Sequence, residues 1–220
     1  MSPETPVTFP SGSFPLEGRL SVSDPKAPGV VICHPHPAYG GSMDNNVVYA
    51  VRDTASRLGL TSLIFNFRGV GRSGGSSTGE LMDARDVGAA VDFLAANPDL
   101  KPAAVYLVGY SYGAWVGIFH AVSDSRIAAW VAVSPPAGMF DFSYLIGSPV
   151  PKLIVCGDAD DFIVTSELDQ VYARLDEPKR LVTIHGADHF YWGREEALAA
   201  EVEKFLKGVL EQGPKEDARK

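Results

Sequence analysis

The chain has only two cysteines in 220 residues, Cys33 and Cys156. Two thiols far apart, each ending an apolar run, make no disulfide framework and read as small buried side chains without a redox role. Cations are also in short supply, with 19 Lys and Arg against 27 Asp and Glu and a formal net charge of -8. Phosphate recognition needs clustered Lys and Arg, so no nucleic-acid partner is expected. No stretch approaches the roughly 18 uninterrupted apolar residues of a spanning helix. Residues 1–10 have neither a basic flank nor an apolar h-region. No membrane partner and cytoplasmic residence are therefore expected. No composition shift divides the chain, which reads as a single domain over residues 1–211 with a solvated tail over 212–220. The oligomeric state is not legible.

What the sequence does have is a run of short apolar segments. Residues 29–33, 60–67 and 127–133 read as strands covered on both faces, 103–108 is an apolar run leading to a turn, and 152–156 and 180–184 read as further strands. Between them, apolar residues recur at helical spacing near 45–58, 80–96, 165–175 and 194–210, and a helix-like run spans 114–122. Residues 7–9 and 16–22 read as an antiparallel pair at a sheet edge, turning at Pro10-Ser11-Gly12. Ser77 and Glu80 suit a capping box. Alternating strands and helices imply an α/β fold with a mostly parallel central sheet and helices on both faces. Residues 134–151 are too few for a lid domain.

The chain is organised around Gly109-Tyr110-Ser111-Tyr112-Gly113, between a strand and a helix. A turn this tight forces strained backbone angles and close packing, so small residues are needed two positions either side of the serine. It lifts the Ser111 hydroxyl out of the sheet and places the Tyr112 amide at a helix start, able to face an oxyanion. A serine hydroxyl needs an imidazole to take its proton and a carboxylate to orient that imidazole. Ser111, Asp160 and His189 follow in the order used by hydrolases built on such an elbow.

Two other readings compete. Gly69-Val70-Gly71-Arg72-Ser73-Gly74 matches the dinucleotide fingerprint letter for letter, but residues 75–79 separate it from the helix that should meet the pyrophosphate. A mobile turn, with Arg68 anchored near the site, fits better. His34, His36, His185 and His189 with Asp158 and Asp160 admit a zinc site in principle, without the helical spacing that would argue for one. Neither a cofactor nor a metal is expected.

Taken together, His34-Pro35-His36-Pro37 with Gly40-Gly41, residues 65–71, Gly157 to Asp160 and residues 186–190 resemble the α/β-hydrolases. The likeness is to their small lidless esterase and dienelactone-hydrolase-like branch, and covers roughly residues 25–210. It implies an α/β-hydrolase fold and hydrolysis of an ester-like bond in a small molecule. Dienelactone hydrolases proper carry cysteine at the elbow, so Ser111 speaks against that activity. Within this pattern His189 is the general base, with His185 as the fallback. Asp160 is the expected acid by the spacing from Gly157 to Ile163, with Asp161 as the alternative; if Asp160 serves, Asp158 and Asp161 are solvated or hold the turn. Because prolines 35 and 37 have no N–H, His36 supplies the second oxyanion amide beside Tyr112. Tyr39, Tyr110, Tyr112, Phe140, Phe142, Tyr191 and Trp192 are the expected walls of a shallow substrate pocket, though loop aromatics also pack beneath loops. The expected activity is carboxylester hydrolysis on short-acyl substrates through an acyl-enzyme. Thioesterase, peptidase and acyltransferase chemistry use the same constellation, and a non-catalytic binding protein on this scaffold is the rival from another class.

Overall fold

The computed structural model describes residues 3–100 and 102–212. One sheet holds β1 (Glu4–Ser11), β2 (Phe14–Ser21), β3 (Gly29–Cys33), β4 (Thr61–Phe65), β5 (Val105–Tyr110), β6 (Ile127–Val133), β7 (Lys152–Gly157) and β8 (Lys179–Ile184). The helices are α1 (Asn46–Arg57), α2 (Ala84–Ala96), α3 (Tyr112–Ala121), α4 (Thr165–Arg174) and α5 (Glu195–Gln212). The strands lie in the order β1-β2-β4-β3-β5-β6-β7-β8. Only β2 runs against its neighbours, and every pairing from β4 to β8 is parallel.

The continuous apolar runs are explained by two packed layers. In β5, Leu107 joins a layer with Val87 and Val91 of α2 and Ile118 of α3. Tyr106, Val108 and Tyr110 point the other way, to Val48 and Val51 of α1 and Val202 and Leu206 of α5. Successive strand residues alternate faces, so a strand covered on both sides must be apolar throughout. Cys33 and Cys156 are buried and not disulfide-bonded, and desolvation raises both thiols.

Register then brings the loops together. Cys33 pairs with Gly109, Tyr110 with Val133, Val133 with Val155, and Gly157 with Ile184. The strands thus end along one edge of the sheet, where the chemistry of such folds collects. Between β6 and β7 the described chain makes only one short 3-10 turn, Ser143–Leu145, so no lid covers that edge. Among the described residues no helix is long and apolar enough to cross a membrane.

Three local expectations need correction. The edge hairpin turns at Gly12 and Ser13, because Pro10 and Ser11 still pair with Pro15 and Phe14. The capping box is not formed: Ser77 Oγ donates to Asp83 Oδ2 at 2.7 Å, Glu80 makes no side-chain cap, and α2 begins at Ala84 after a 3-10 turn. Buried Asp83 draws the serine away, because it also collects hydroxyls from Thr78 and Tyr112. At the other end α5 runs through Gln212, so the expected tail concerns 213–220, outside the described residues.

Candidate active site

Ser111 joins β5 directly to α3 with φ 53° and ψ -116°, a conformation that non-glycine residues adopt at a cost of about 1–3 kcal/mol. The turn is held by its backbone. Ser111 N–H donates to the Val133 carbonyl at 2.9 Å, and the Ser111 carbonyl accepts from the Ala114 and Trp115 amides. The flanking glycines are obligatory, since a Cβ at Gly109 would run into the Gly113 carbonyl, and one at Gly113 into the Cys33 carbonyl.

Above the elbow, His189 Nε2 lies 3.0 Å from Ser111 Oγ. Its Nδ1 lies 3.0 and 2.9 Å from the two oxygens of Asp160. A carboxylate has no proton to give, so Nδ1 carries the hydrogen and Nε2 presents a lone pair to the serine O–H. Asp160 is buried, and its Oδ1 also accepts from the Phe162 amide at 3.0 Å. This geometry can remove a proton from Ser111 and stabilise the imidazolium that results.

The neighbouring acids and the second histidine are occupied differently. Asp158 bonds His185 Nδ1 and the Gly186 amide, both at 2.6 Å, which holds its carboxyl below the usual range. The His185 side chain is 97% exposed and turned to that pair. Asp161 is exposed. Among the described residues no three His, Cys, Asp or Glu side chains are grouped to hold a metal ion.

The His36 and Tyr112 rings meet 4.5 Å apart. Tyr112 opens α3, whose first amides have no intrahelical acceptors. His36 Nδ1 accepts from the Ala38 amide at 3.1 Å, and the His36 carbonyl accepts from Gly41, where a Cβ would strike Pro35. Sequence reasoning missed what fixes this loop from below. Fully buried His34 donates from Nδ1 to the Pro35 carbonyl at 2.6 Å and accepts at Nε2 from the Phe67 amide at 3.1 Å, bolting the β3 loop to the β4 loop.

That bolt is expected to make the fold acid-sensitive. Burial pushes the His34 imidazole from 6.5 down to about 4. The unfolded chain takes up this proton first, so stability from the site is full above about pH 6.5 and is lost as pH falls toward 4. At about 1.36 kcal/mol per unit, the loss reaches about 3 kcal/mol. Urea unfolding at pH 7.5 and pH 4 should show a smaller drop for His34→Asn than for the wild type, and equal drops would rule the bolt out as the cause.

The expected pocket walls are largely displaced. Tyr110 is buried and donates its hydroxyl to the His189 carbonyl at 2.7 Å. Tyr191, at φ 55°, is turned inward with its hydroxyl 2.9 Å from Ser134 Oγ. Both brace the histidine loop from beneath and leave no surface for a substrate. Tyr112 is buried too, its hydroxyl donating to Asp83 at 2.8 Å. Phe142 is buried, and Phe140 stacks on Trp115 at 3.9 Å. Those two phenylalanines line a 420 Å³ cavity shared with Glu167, Gln170 and Arg174 and containing no Ser111, Asp160 or His189. Tyr39 and Trp192 are open to solvent, 87% and 71% exposed. Phe162 and Phe190, which the sequence reading passed over, are the phenyl rings that contact His189. Their adjacency to the Asp160 turn and to His189 was the available signal.

The glycine fingerprint also has a different use. A Cβ at Gly71 would collide with the Glu17 carboxylate, which accepts from the Arg72 amide, Arg72 Nε and Asn66 Nδ2. Ser73 closes the turn by donating to the Asn66 carbonyl. The hollow a pyrophosphate would enter is thus filled by the protein's own carboxylate from β2, and α2 starts only at Ala84. Arg68 is anchored in a buried pair with Asp86 at 2.6 Å.

With this geometry established, the likenesses to other proteins become specific. The sequence profile of the alpha/beta hydrolase family matches residues 30–147. The protein RP471 of Rickettsia prowazekii is 33% identical over 201 residues, 87% of this chain and 84% of that one. The structure of ATU1826 from Agrobacterium tumefaciens, a protein of unknown function, superposes with a TM-score of 0.86 at 33% identity, covering 96% of this chain and 98% of that one. XC6422 of Xanthomonas campestris, a serine hydrolase without a lid, gives 0.81 at 27% identity over 99% and 98% of the two chains. The chain therefore belongs to the alpha/beta hydrolase family.

Proposed function

We propose that this protein is a serine hydrolase, a carboxylesterase acting on small short-acyl esters. The observation that carries the reading is the unbroken relay from Ser111 Oγ through His189 to Asp160 at a strained elbow. Ser111 Oγ attacks the ester carbonyl as its proton passes to His189 Nε2, and Asp160 stabilises the imidazolium. The amides of Tyr112 and His36 receive the oxyanion. The bond to the alcohol breaks as Nε2 returns the proton to the departing oxygen. Water then repeats the sequence on the acyl-enzyme and frees the acid. The likeness to a lidless serine hydrolase supports the same reading.

Thioesterase, peptidase and acyltransferase activity share this constellation, so the test is a panel of esters, thioesters and peptide amides run beside labelling with a fluorophosphonate. Labelling at Ser111 with fastest turnover of esters is the expected result. No labelling would favour a binding protein on the hydrolase scaffold, and thioesters outpacing esters would reassign the activity.

Acyl length gives a further check. Each methylene buried on binding gains about 0.8 kcal/mol, roughly fourfold in rate, for as long as a groove continues. With no lid, that gain stops early, so kcat/KM for p-nitrophenyl esters should peak at acyl chains of about two to six carbons. A profile still climbing at palmitate, below the micelle concentration, would overturn the short-acyl reading.

A further inference from the structure

Phe162 and Phe190 remain 48% and 47% exposed at the open edge of the sheet. Both touch the base. The Phe162 ring lies 4.7 Å from the His189 ring, the Phe190 ring stands at 90° to it at 5.8 Å, and the two phenyl rings meet edge to face at 6.0 Å. A single exposed phenylalanine would be ordinary, but two adjoining rings on the general base are not a scattered pair. Their backbones are fixed. The Phe162 amide donates to Asp160 Oδ1, the Phe190 amide donates to Asp188 Oδ1 at 3.0 Å, and the Phe190 carbonyl accepts from Asn46 Nδ2 at 2.9 Å. Rings preset in this way add little ordering cost when a ligand binds.

Reaction geometry decides which part of a substrate they meet. In the tetrahedral intermediate the oxyanion points to the Tyr112 and His36 amides. The departing oxygen must lie within reach of Nε2, because that nitrogen gives it the proton taken from Ser111. The alcohol half of the ester therefore passes beside the His189 ring, where Phe162 and Phe190 stand.

Resting on the serine-hydrolase reading, we propose that Phe162 and Phe190 form the leaving-group subsite and select esters whose alcohol carries an aromatic ring. A flat ring stacks or packs edge-on against them, a preference that an aliphatic alcohol of the same reach does not share. During the step the bond from the carbonyl carbon to the alcohol oxygen breaks, its electron pair stays on that oxygen, and the Nε2 proton neutralises it, so the released product is the neutral aromatic alcohol.

The test compares kcat/KM for benzyl acetate and cyclohexylmethyl acetate, which share an acyl group, match in reach and release alcohols of similar acidity. Wild type should prefer the benzyl ester by about two- to tenfold, as expected for a well-placed aromatic contact. Phe162→Ala and Phe190→Ala should each narrow that ratio toward one, and Phe162→Tyr, which keeps a ring, should retain it. A wild type that labels at Ser111 and hydrolyses both esters with a ratio near one would overturn the subsite while leaving the serine-hydrolase reading intact. So would alanine variants that slow both esters equally, since the rings would then only screen His189 from water. Absence of both labelling and hydrolysis in the wild type would overturn the serine-hydrolase reading and the subsite with it.

Discussion

Ser111→Ala should lower kcat by about 10³-fold or more, with an unfolding midpoint close to that of the wild type. The two halves of this expectation have separate causes. Nε2 of His189 loses the hydroxyl 3.0 Å away, and what rate is left would come from binding and from the proposed oxyanion amides. The elbow itself does not use the side chain. Its bonds to Val133, Ala114 and Trp115 are made by the Ser111 amide and carbonyl, and alanine carries the same Cβ as serine at φ 53°. Steady-state kinetics with a short-acyl ester, beside a urea titration, measure both halves. A variant that keeps more than about a tenth of the wild-type rate would remove Ser111 from the chemistry, since triad losses are far larger.

The parts of this arrangement that were legible in the sequence are those written in local pattern. The apolar runs read as strands covered on both faces, as β3 to β7 are, whereas β8 at the sheet edge is only half-buried, and Gly109 and Gly113 announced a turn too tight for a side chain. Distance along the chain was no obstacle. His189 is 78 positions from Ser111 and 29 from Asp160, but parallel strands in one sheet end along one edge, so their loops converge.

What stayed hidden was direction. Tyr110, Tyr191, Phe162 and Phe190 are all aromatics next to reactive residues, and only the fold tells which face inward. Tyr110 is the last residue of β5 and its parity sends it to the α1 and α5 side. Tyr191 is turned under the loop by a left-handed backbone, which no sequence pattern announced. The filling of the glycine-rich loop was hidden for a related reason: it is Glu17, 55 positions from Arg72 on the one strand that runs against the rest. His34 read as part of a loop, whereas its two ring nitrogens tie neighbouring strand ends together.

Asp160→Asn should lower kcat by up to about 10⁴-fold, the scale seen when a triad acid becomes an amide, whereas Asp158→Asn and Asp161→Asn should each cost less than about tenfold. The reason lies in which oxygen the backbone holds. The Phe162 amide donates to Oδ1, so an asparagine keeps its carbonyl oxygen there and turns its NH₂ toward the position of Oδ2, 2.9 Å from His189 Nδ1. An NH₂ can only donate, so Nδ1 either gives up its proton to accept at 2.9 Å or keeps it against the neutral carbonyl oxygen at 3.0 Å. In the first case the ring proton sits on Nε2, where it faces Ser111 Oγ and leaves no lone pair to receive the serine proton. In the second the imidazolium has lost its counter-charge. Asp158 serves His185 and Gly186 at the loop's outer end, so its amide perturbs the approach to His189 without touching the relay. Asp161 is exposed and holds no bond to His189. Kinetics of the three variants against the same ester, each checked for fold by circular dichroism, separate these outcomes. Losses at Asp161 equal to those at Asp160 would show that the acid is not chosen by the geometry around His189.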